Sequence, residues 1–584
     1  MPHTEGAAAP LAGRARLTFD MSTIARGADR VAAVIPWRPW SIVGLLVVIQ
    51  WAAVVAFALT VRHNGWLYYQ GGDETWYYTS AWALGTGHLP VASIGWGLPV
   101  LFSPIAAIAG PDILNGIPAV IVFQIVILQP LAILSTFSIG RRIGGRMLGY
   151  LASATWIAAP FAAILVTDPR YHERWVEQFL PQALGLTGMG DFASLVVLLA
   201  AAAFILRTLE ATTVRNCALT GVTIGFAIGV KPSNAVFLVP AVLTFVVARR
   251  FRGAVLTGVA MLPAIVTLMV WKQRGLGALP LFALDAQLLA AGSLAFSPPP
   301  GILASAIRTY VHINWHQIDQ NLVSLREYFW SSRVYQVLPF VGLAAALRRS
   351  LSVGVLLGCW FGLFFVLKSS NVYSTIDSGS FFRMLMPGLP AYVLLAATTP
   401  LLVPGLGGRL IRSARSEAAP AVHDSANRRR SRGFWAALVV ATAAPLILVA
   451  TAPHLAPRAA LDDFAGGLYN PVTTKLTPQV TVQGQTIRLA WTAVPANQAR
   501  SFYRVQRWKN DPLSCDHTGG TSNCSLFYYS EAIGPTRDTT ISDTPGPGKW
   551  WYVVTRAANW LDDTTKGDPL LSGLPVAVEI PPAG

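Results

Sequence analysis

Two adjacent carboxylates are the first residues that could do chemistry. Asp73 and Glu74 stand in the run YYQGGDETWYYTS, flanked by aromatic residues, shortly after the first long apolar segment. A carboxylate can take a proton from a nucleophile as a general base, and an Asp-Glu pair can also bind a divalent metal. The alternative use of Asp73 is to cap a following helix, since Asp after Gly-Gly favours a helix N-terminus.

Two isolated cations form a second group. Lys231 follows a Gly-rich apolar stretch and precedes Pro232, whereas Arg383 opens a later apolar stretch. Charged residues at such positions either anchor a helix end at the membrane surface or contact a ligand. For Lys231, the role of an anchor whose charged end extends to the membrane surface stays an open alternative. For Arg383 a lipid-borne phosphate is a suitable ligand.

The remaining candidates lie in two polar segments, DPRYHERWVEQF and YVHINWHQIDQN. They are Asp168, Arg170, His172, His312, His316 and Asp319. Asp168 directly ends an apolar stretch and could be a second acid. The two His of the second segment are spaced i and i+4, but a zinc signature would also need a Glu and a third ligand. An acceptor-binding or packing surface is therefore favoured, and a divalent metal stays open.

The composition indicates which elements must position these residues. Of 584 residues, 53% are hydrophobic and 12% are charged. Soluble domains carry about twice that share of charge, so most helices must face lipid. The net charge of +16 lies in short basic runs between apolar stretches. This pattern is typical of cytoplasmic loops and argues against nucleic acid as a partner.

Apolar length and the placement of arginines predict a polytopic α-helical protein of the plasma membrane with about eleven spans. We place the spans at 40 to 61, 118 to 139, 147 to 166, 191 to 207, 213 to 230, 233 to 248, 253 to 271, 334 to 347, 351 to 367, 384 to 404 and 434 to 452. The apolar segment 91 to 111 is interpreted as a juxtamembrane helix pair, and 276 to 296 as part of an outer loop. A basic segment, 1 to 39, is then cytoplasmic, and 40 to 454 forms the membrane domain.

The odd number of spans puts the last part of the chain, 455 to 584, outside the cytoplasm. Runs such as TVQGQTIRLAW and KWWYVVTRA alternate polar and apolar residues, which predicts an all-β sandwich domain. The pattern resembles a fibronectin type III module, with Trp491 and Tyr503 in core positions. Cys515 and Cys524 could form a disulfide there, because the compartment would be oxidising.

The order of these motifs resembles the GT-C class of membrane glycosyltransferases, in particular the group of protein O-mannosyltransferases and aminoarabinose transferases. The matching residues are Asp73, Glu74, Tyr77, Tyr78, Gly87 and Pro90 in the first loop, Lys231-Pro232, and Arg383 with Pro387 and Pro390. The resemblance covers about residues 40 to 400. Arg383 is followed by Met384 where the family has Tyr.

The resemblance implies transfer of a sugar from a polyprenyl-phosphate donor to an acceptor outside the cytoplasm, with inversion at the anomeric carbon. Asp73 would be the general base, Glu74 would orient Asp73 or the acceptor, and Lys231 and Arg383 would bind the donor phosphate. The acceptor could be a cell-wall glycan, a lipid or a protein. The alternative is a membrane transporter or lipid-carrier flippase, which would place polar residues near the bilayer midplane.

Overall fold

The computed structural model of the chain describes residues 39 to 60, 73 to 85, 87, 95 to 110, 113 to 166, 168, 180 to 276, 313 to 329, 334 to 371, 374 to 376, 380 to 418, 427 to 452, 477 to 493, 502 to 509, 531 to 536, 538 to 557 and 576 to 582. Within these ranges, helices form the part up to residue 452 and strands form the rest. The predicted class, a polytopic α-helical membrane protein with a C-terminal all-β region, is confirmed.

The helices are α1 Pro39–Thr60, α2 Asp73–Gly85, α3 Gly97–Ala109, α4 Ile113–Phe123, α5 Gln129–Val166, α6 Pro181–Leu184, α7 Gly190–Glu210, α8 Val214–Val230, α9 Leu238–Val247, α10 Phe251–Leu276, α11 Trp315–Tyr328, α12 Val334–Arg349, α13 Leu351–Ser369, α14 Ser380–Leu385, α15 Leu389–Thr398, α16 Leu406–Ala418 and α17 Asn427–Thr451. A π-helical turn, Gln124–Leu128, joins α4 to α5, and 3-10 turns at Pro232–Phe237, Met386–Gly388 and Thr399–Leu402 precede or follow shorter helices.

Six helical stretches in the described part of the chain are long and apolar enough to cross a membrane. The longest, Asn115–Leu165, has 51 residues, about twice the length that one crossing needs. It bends at Gly144 and at Gly145, whose φ of 76° is left-handed, so two predicted spans lie on either side of that kink. Shorter apolar helices and α12 occupy the other predicted spans.

One helix, α7, is central and another, α10, is peripheral. In the most apolar 18-residue stretch of α7, 83% is buried within the protein, whereas in that of α10 only 11% is buried. The exposed side chains of α10 include Val255, Val259 and Leu262, which are apolar as expected of a lipid-facing surface. Gly190, the first residue of the central helix α7, is therefore surrounded by several other elements.

The segment at 91 to 111 contains one described helix, α3, and not a helix pair. Its 13 residues span about 20 Å, too short for a hydrocarbon core of about 30 Å, in keeping with a juxtamembrane position. Its partner is α2, because Gly85 permits close approach to Ser103 and Ala107. The predicted loop segment 276 to 296 lies almost wholly outside the described residues.

The C-terminal region contains β1 Gln479–Gln483, β2 Thr486–Ala490, β3 Phe502–Trp508, β4 Glu531–Thr536, β5 Thr540–Asp543, β6 Gly548–Ala557 and β7 Val576–Ile580. All described pairings are antiparallel, in a three-stranded sheet ordered β1-β2-β5 and a four-stranded sheet ordered β4-β3-β6-β7. Leu489, Val505 and Val554 are buried in one apolar core with Trp491 and Tyr503, whose rings meet edge to face at 5.4 Å. Both aromatic residues thus occupy the core positions predicted for them.

Candidate functional site

A buried carboxylate at the start of α7 joins two distant cations. Asp191 is in the first turn of this central helix, and its side chain is only 4% exposed. Its Oδ1 atom forms an ion pair with Nζ of Lys231, and its Oδ2 atom lies 3.5 Å from Nε of Arg383. The side chains of Lys231 and Arg383 are 20% and 24% exposed, so both cations can still meet a ligand.

A second side-chain contact fixes the turn that carries Lys231. Helix α8 ends at Val230, Lys231 is extended with φ of −139°, and Pro232 opens a 3-10 turn. Asn234 in that turn donates from Nδ2 to Oγ of Ser194 at 2.7 Å and to the Ala227 carbonyl at 2.7 Å. Because positions three apart share one helix face, the Asp191 face of α7 contacts the turn at two points.

A third cation completes what we call the charged cluster, namely Asp191, Lys231, Lys368 and Arg383. Lys368 lies in the last turn of α13 and is close enough to Lys231 and Asp191 to interact with both electrostatically. Helix α13 is held beside the element that carries Arg383, since Nε1 of Trp360 donates to the Pro387 carbonyl at 2.9 Å. Three positive side chains therefore share one buried carboxylate.

The acidic pair approaches this cluster through Glu74. Glu74 is fully buried, and its Oε1 atom accepts a hydrogen bond from the Gly188 N–H at 2.9 Å. The ring of Tyr77 lies against Gly190, so the first turn of α2 contacts the segment that leads into Asp191. This contact anchors the Glu74 side chain to the segment before α7.

Asp73 is the first residue of α2, and consecutive Cα atoms lie about 3.8 Å apart. Its backbone is thus next to that of Glu74, while its side chain lies outside the described part of the structure. The predicted roles of both residues stay predictions.

Helix α3 is held against the turn of Lys231 by glycines. A Cβ atom on Gly97 would lie 2.7 Å from the Val230 N atom, and one on Gly95 would lie 2.1 Å from the Gly229 carbonyl oxygen. The Trp96 ring packs against Phe226 of α8 with centroids 5.5 Å apart. The juxtamembrane pair α2 and α3 is thereby fixed to α8 directly before Lys231.

Helix α11, which carries His316 and Asp319, lies near the same end of the helical region. Asn321 of α11 donates to the carbonyls of Ser369 at 2.9 Å and Ser374 at 2.7 Å, next to Lys368. The N–H of half-buried Asp168 donates to the Tyr328 carbonyl at 2.9 Å. His316 and Asp319 are exposed. Arg170, His172, His312, Cys515 and Cys524 lie outside the described residues.

No metal-binding group of three or more His, Cys, Asp or Glu side chains occurs among the described residues. The two buried carboxylates in this region already have partners, Asp191 with cations and Glu74 with a backbone N–H. A divalent metal stays an open prediction.

An apolar groove lies beside the charged cluster, between α5 and the helices α11 to α15. It is lined mainly by aromatic and aliphatic side chains, including Trp156, Ala159, Phe361, Phe365, Phe381 and Phe382. Phe365 precedes Lys368 by one helical turn on α13, and Phe381 and Phe382 directly precede Arg383 on α14. The groove lining therefore includes residues within one helical turn of two of the three cations.

Sequence patterns had pointed to Lys231 and Arg383 but not to Asp191 and Lys368. The last two stand at the edges of predicted spans, where a charge is ordinarily interpreted as a flanking residue. The sequence signal that could have indicated Asp191 and Lys368 is a charged residue at the first or last turn of an otherwise apolar helix.

Solved structures provide two distant likenesses. The oligosaccharyltransferase AglB from Archaeoglobus fulgidus, solved with an inhibitory peptide and a dolichol-phosphate, has 14% identity and a TM-score of 0.36, covering 72% of this chain and 56% of its own. ArnT from Cupriavidus metallidurans, bound to undecaprenyl phosphate, has 15% identity and a TM-score of 0.38, covering 75% of this chain and 81% of its own. This chain thus spans little more than half the length of AglB.

No protein-family model and no curated protein matches the chain. The two solved proteins are of the GT-C kind that the sequence motifs resemble. One fold hosts many functions, so the activity depends on the side chains at the site.

Proposed function

We propose that this protein is a GT-C-type membrane glycosyltransferase, which transfers a sugar from a polyprenyl-phosphate donor to an extracytoplasmic acceptor with inversion at the anomeric carbon. One observation carries the proposal. Lys231, Lys368 and Arg383 meet around a single buried carboxylate, and aromatic residues within one helical turn of Lys368 and Arg383 line an apolar groove. A site with fixed cations beside an apolar groove suits a phosphate attached to a long hydrocarbon.

The cations would act on the leaving group. As the bond between the sugar and the donor phosphate breaks, negative charge grows on the phosphate oxygens. Positive side chains that are already fixed in place stabilise this developing charge more than the ground state. Asp191 supports the role because it holds Lys231 and Arg383 together without covering either side chain completely.

The polyprenyl chain would lie in the groove. Its lining offers apolar surface over several helical turns, and Phe365, Phe381 and Phe382 come within one turn of Lys368 or Arg383. Burial of the chain there would place the phosphate at the charged cluster by apolar contact alone.

Asp73 is the proposed general base. An acceptor hydroxyl attacks the anomeric carbon from the face opposite the leaving phosphate, and a single displacement of this kind inverts the configuration. A carboxylate that removes the hydroxyl proton typically contributes about 10² to 10⁴ in rate. The buried contact of Glu74 with Gly188 supports the role, because it fixes the start of α2 near the charged cluster.

The charges at the two ends of the helical region support a proposed sidedness. The charged cluster lies at one end, whereas Arg142, Arg349 and Arg415 lie with Glu210 at the end that carries the basic runs. The positive-inside rule places the basic end in the cytoplasm. The C-terminal β region would then be extracytoplasmic, as would a Cys515–Cys524 bridge.

The test is sugar transfer in membranes supplied with labelled polyprenyl-phosphate sugars. We expect Asp73→Asn to lower transfer by about 10² to 10⁴ and Arg383→Gln by about 10² to 10³. The matched controls Asp538→Asn and Arg488→Gln change exposed residues of the β region and should transfer like wild type.

Full transfer by Asp73→Asn would remove that residue from its role. Translocation of the lipid carrier across the bilayer without any transfer would favour a flippase over an enzyme.

A further inference from the structure

The basic end of the helical region is an unusually dense patch of positive charge. Arg142 interacts electrostatically with Arg207 and Glu210, and its Nε atom lies 3.2 Å from Oε2 of Glu210. Arg349 interacts with Glu210 and with Arg415 of α16. In the described part of the chain, Arg142 and Arg349 both interact with Glu210, whereas Arg207 and Arg415 are their positive neighbours; we call these four arginines the arginine patch. Such a concentration of positive charge attracts anions from its surroundings.

The patch is built on the kink of α5. Nε of Arg349 donates to the Ile143 carbonyl at 2.8 Å, directly before the kink at Gly144 and Gly145. Gly145 also makes room for α16, since a Cβ atom at this position would lie 2.4 Å from Oγ of Ser413. Helix α16 is therefore held at the turn between two membrane-spanning segments, at the depth where a helical region meets lipid headgroups.

Helix α16 presents a row of arginines on its outer face. Leu410 and Ala414 are buried against the rest of the protein. Arg409, Arg412 and Arg415 recur every three residues and are exposed. Because the apolar face of α16 packs against the protein, its three arginines face outward, and clustered positive charge of this kind attracts an anionic membrane surface.

Apolar side chains next to the patch point to a lipid in preference to free phosphate. Met147 and Leu151 follow the kink on α5 and are 59% and 40% exposed, and Leu406 at the start of α16 is 39% exposed. A molecule that contacts both the arginines and these side chains needs an anionic head and a hydrocarbon tail.

We propose that α16 and the arginine patch bind the headgroup of an anionic phospholipid from the adjacent leaflet, with its acyl chains along Met147 and Leu151. The inference is independent of the sugar-transfer reaction, because it concerns the opposite end of the helical region. It assigns α16 a function: to hold the protein at a leaflet rich in anionic lipid.

The test uses full-length protein in nanodiscs of phosphatidylcholine with and without phosphatidylglycerol, followed by native mass spectrometry of the retained lipid. Wild type should retain phosphatidylglycerol in preference to phosphatidylcholine. Each arginine contributes about five-fold to binding at an anionic surface. Arg412→Gln should therefore reduce the preference several-fold, and the triple change of Arg409, Arg412 and Arg415 to Gln should reduce it by more than about ten-fold.

The matched control removes three positive charges elsewhere, with Arg488, Lys509 and Lys549 of the β region changed to Gln, all of them exposed in wild type. It should keep the wild-type lipid preference. If the control lost as much of its preference for phosphatidylglycerol, net charge alone would explain the effect and the proposal would be wrong. The proposal would also be wrong if Arg412→Gln and the triple variant kept the wild-type preference. Inorganic phosphate that displaces phosphatidylglycerol at equal concentration would overturn the assignment to a lipid.

Discussion

Asp191 is a buried anion whose removal would leave three cations facing one another. Its carboxylate contacts Lys231 and lies 3.5 Å from Arg383, and Lys368 is close by. A buried ion pair adds little stability compared with apolar packing, yet loss of one partner is strongly destabilising. The carboxylate therefore matters most for keeping the positive charges in one place.

Asp191→Asn is expected to lower stability by about 3 kcal/mol, because the amide keeps the shape but not the charge. The measurement is the midpoint of thermal unfolding of the full chain in detergent. Asp538→Asn, at an exposed position, is the control and should stay within about 0.5 kcal/mol of wild type. An unchanged midpoint in Asp191→Asn would show that the cations do not depend on this carboxylate.

Single residues were predictable from sequence only where the local pattern made them unusual. Arg383 stands out because arginine is disfavoured at the end of the span where it lies. Asp191 and Lys231 are 40 positions apart, and the contact between them arises from helix packing. No spacing rule reports such a contact, because local patterns describe neighbours along one helix or strand.

At the scale of elements, the position of α3 depends on glycine. Gly97→Ala would place a methyl group 2.7 Å from the backbone N atom of Val230, so α3 must move away from the turn of Lys231. We expect a loss of about 1 to 3 kcal/mol, measured as a lower midpoint of thermal unfolding.

The control for Gly97→Ala is Gly258→Ala on α10, where a Cβ atom would meet nothing within 4 Å. Alanine at this half-buried helix position, which has free space around it, should leave stability unchanged or raise it by up to about 1 kcal/mol. Equal stability of Gly97→Ala and wild type would mean that α3 and α8 are not closely packed.

In the β region, Asp543 of β5 contacts side chains of two strands of the other sheet, β3 and β6, through three hydrogen bonds. It accepts from Nη1 of Arg507 at 2.8 and 2.9 Å and from the hydroxyl of Tyr552 at 2.8 Å. Burial raises the pKa of Tyr552 above its usual range, and the bond to Asp543 adds to the effect. The neutral hydroxyl is thus favoured in the folded state.

Because the folded-state pKa of Tyr552 is raised, its contribution is fully present below a pH of about 10 and is lost as the pH rises further. Tyr552→Phe should cost about 1 kcal/mol at neutral pH and should abolish this alkaline loss. Hydrogen exchange of the β6 amides in the full chain measures the stability, and tyrosinate absorbance measures the titration. A tyrosinate signal from Tyr552 near pH 10 would contradict the raised pKa.

Strands and helices were predictable because their periods are local. The run TVQGQTIRLAW forms β1 and β2, joined at Gly484, whose φ of 60° suits glycine in a tight turn. The alternation does not show that β5 pairs with β2 while β6 pairs with β3 and β7, since sheet order depends on contacts between distant strands.

At the scale of the whole molecule, hydropathy predicted where the helices are but not which of them is central. Helix α7 and the segment Phe251–Leu268 of α10 have mean hydropathies of 2.2 and 1.7, yet their apolar stretches are 83% and 11% buried within the protein. Lipid and protein interior are both apolar, so composition alone hardly separates them. The location of the site at the start of α7 therefore became visible only once the helices were assembled.

The groove beside the charged cluster leads to a prediction that involves several helices at once. Ala159 of α5 lines this groove opposite side chains of α13 and α14. Ala159→Trp would fill part of the groove while leaving Lys231 and Arg383 unchanged. If the groove holds the polyprenyl chain, the substitution should raise the KM for long-chain polyprenyl-phosphate sugars at least ten-fold, because several isoprene units lose their apolar contacts.

A short-chain donor, whose tail does not extend into the groove, should be used with an unchanged KM. Val259→Trp on the lipid-facing surface of α10, where Val259 is 58% exposed, is the matched control and should affect neither donor. Equal KM values of wild type and Ala159→Trp for the long-chain donor would place the hydrocarbon elsewhere.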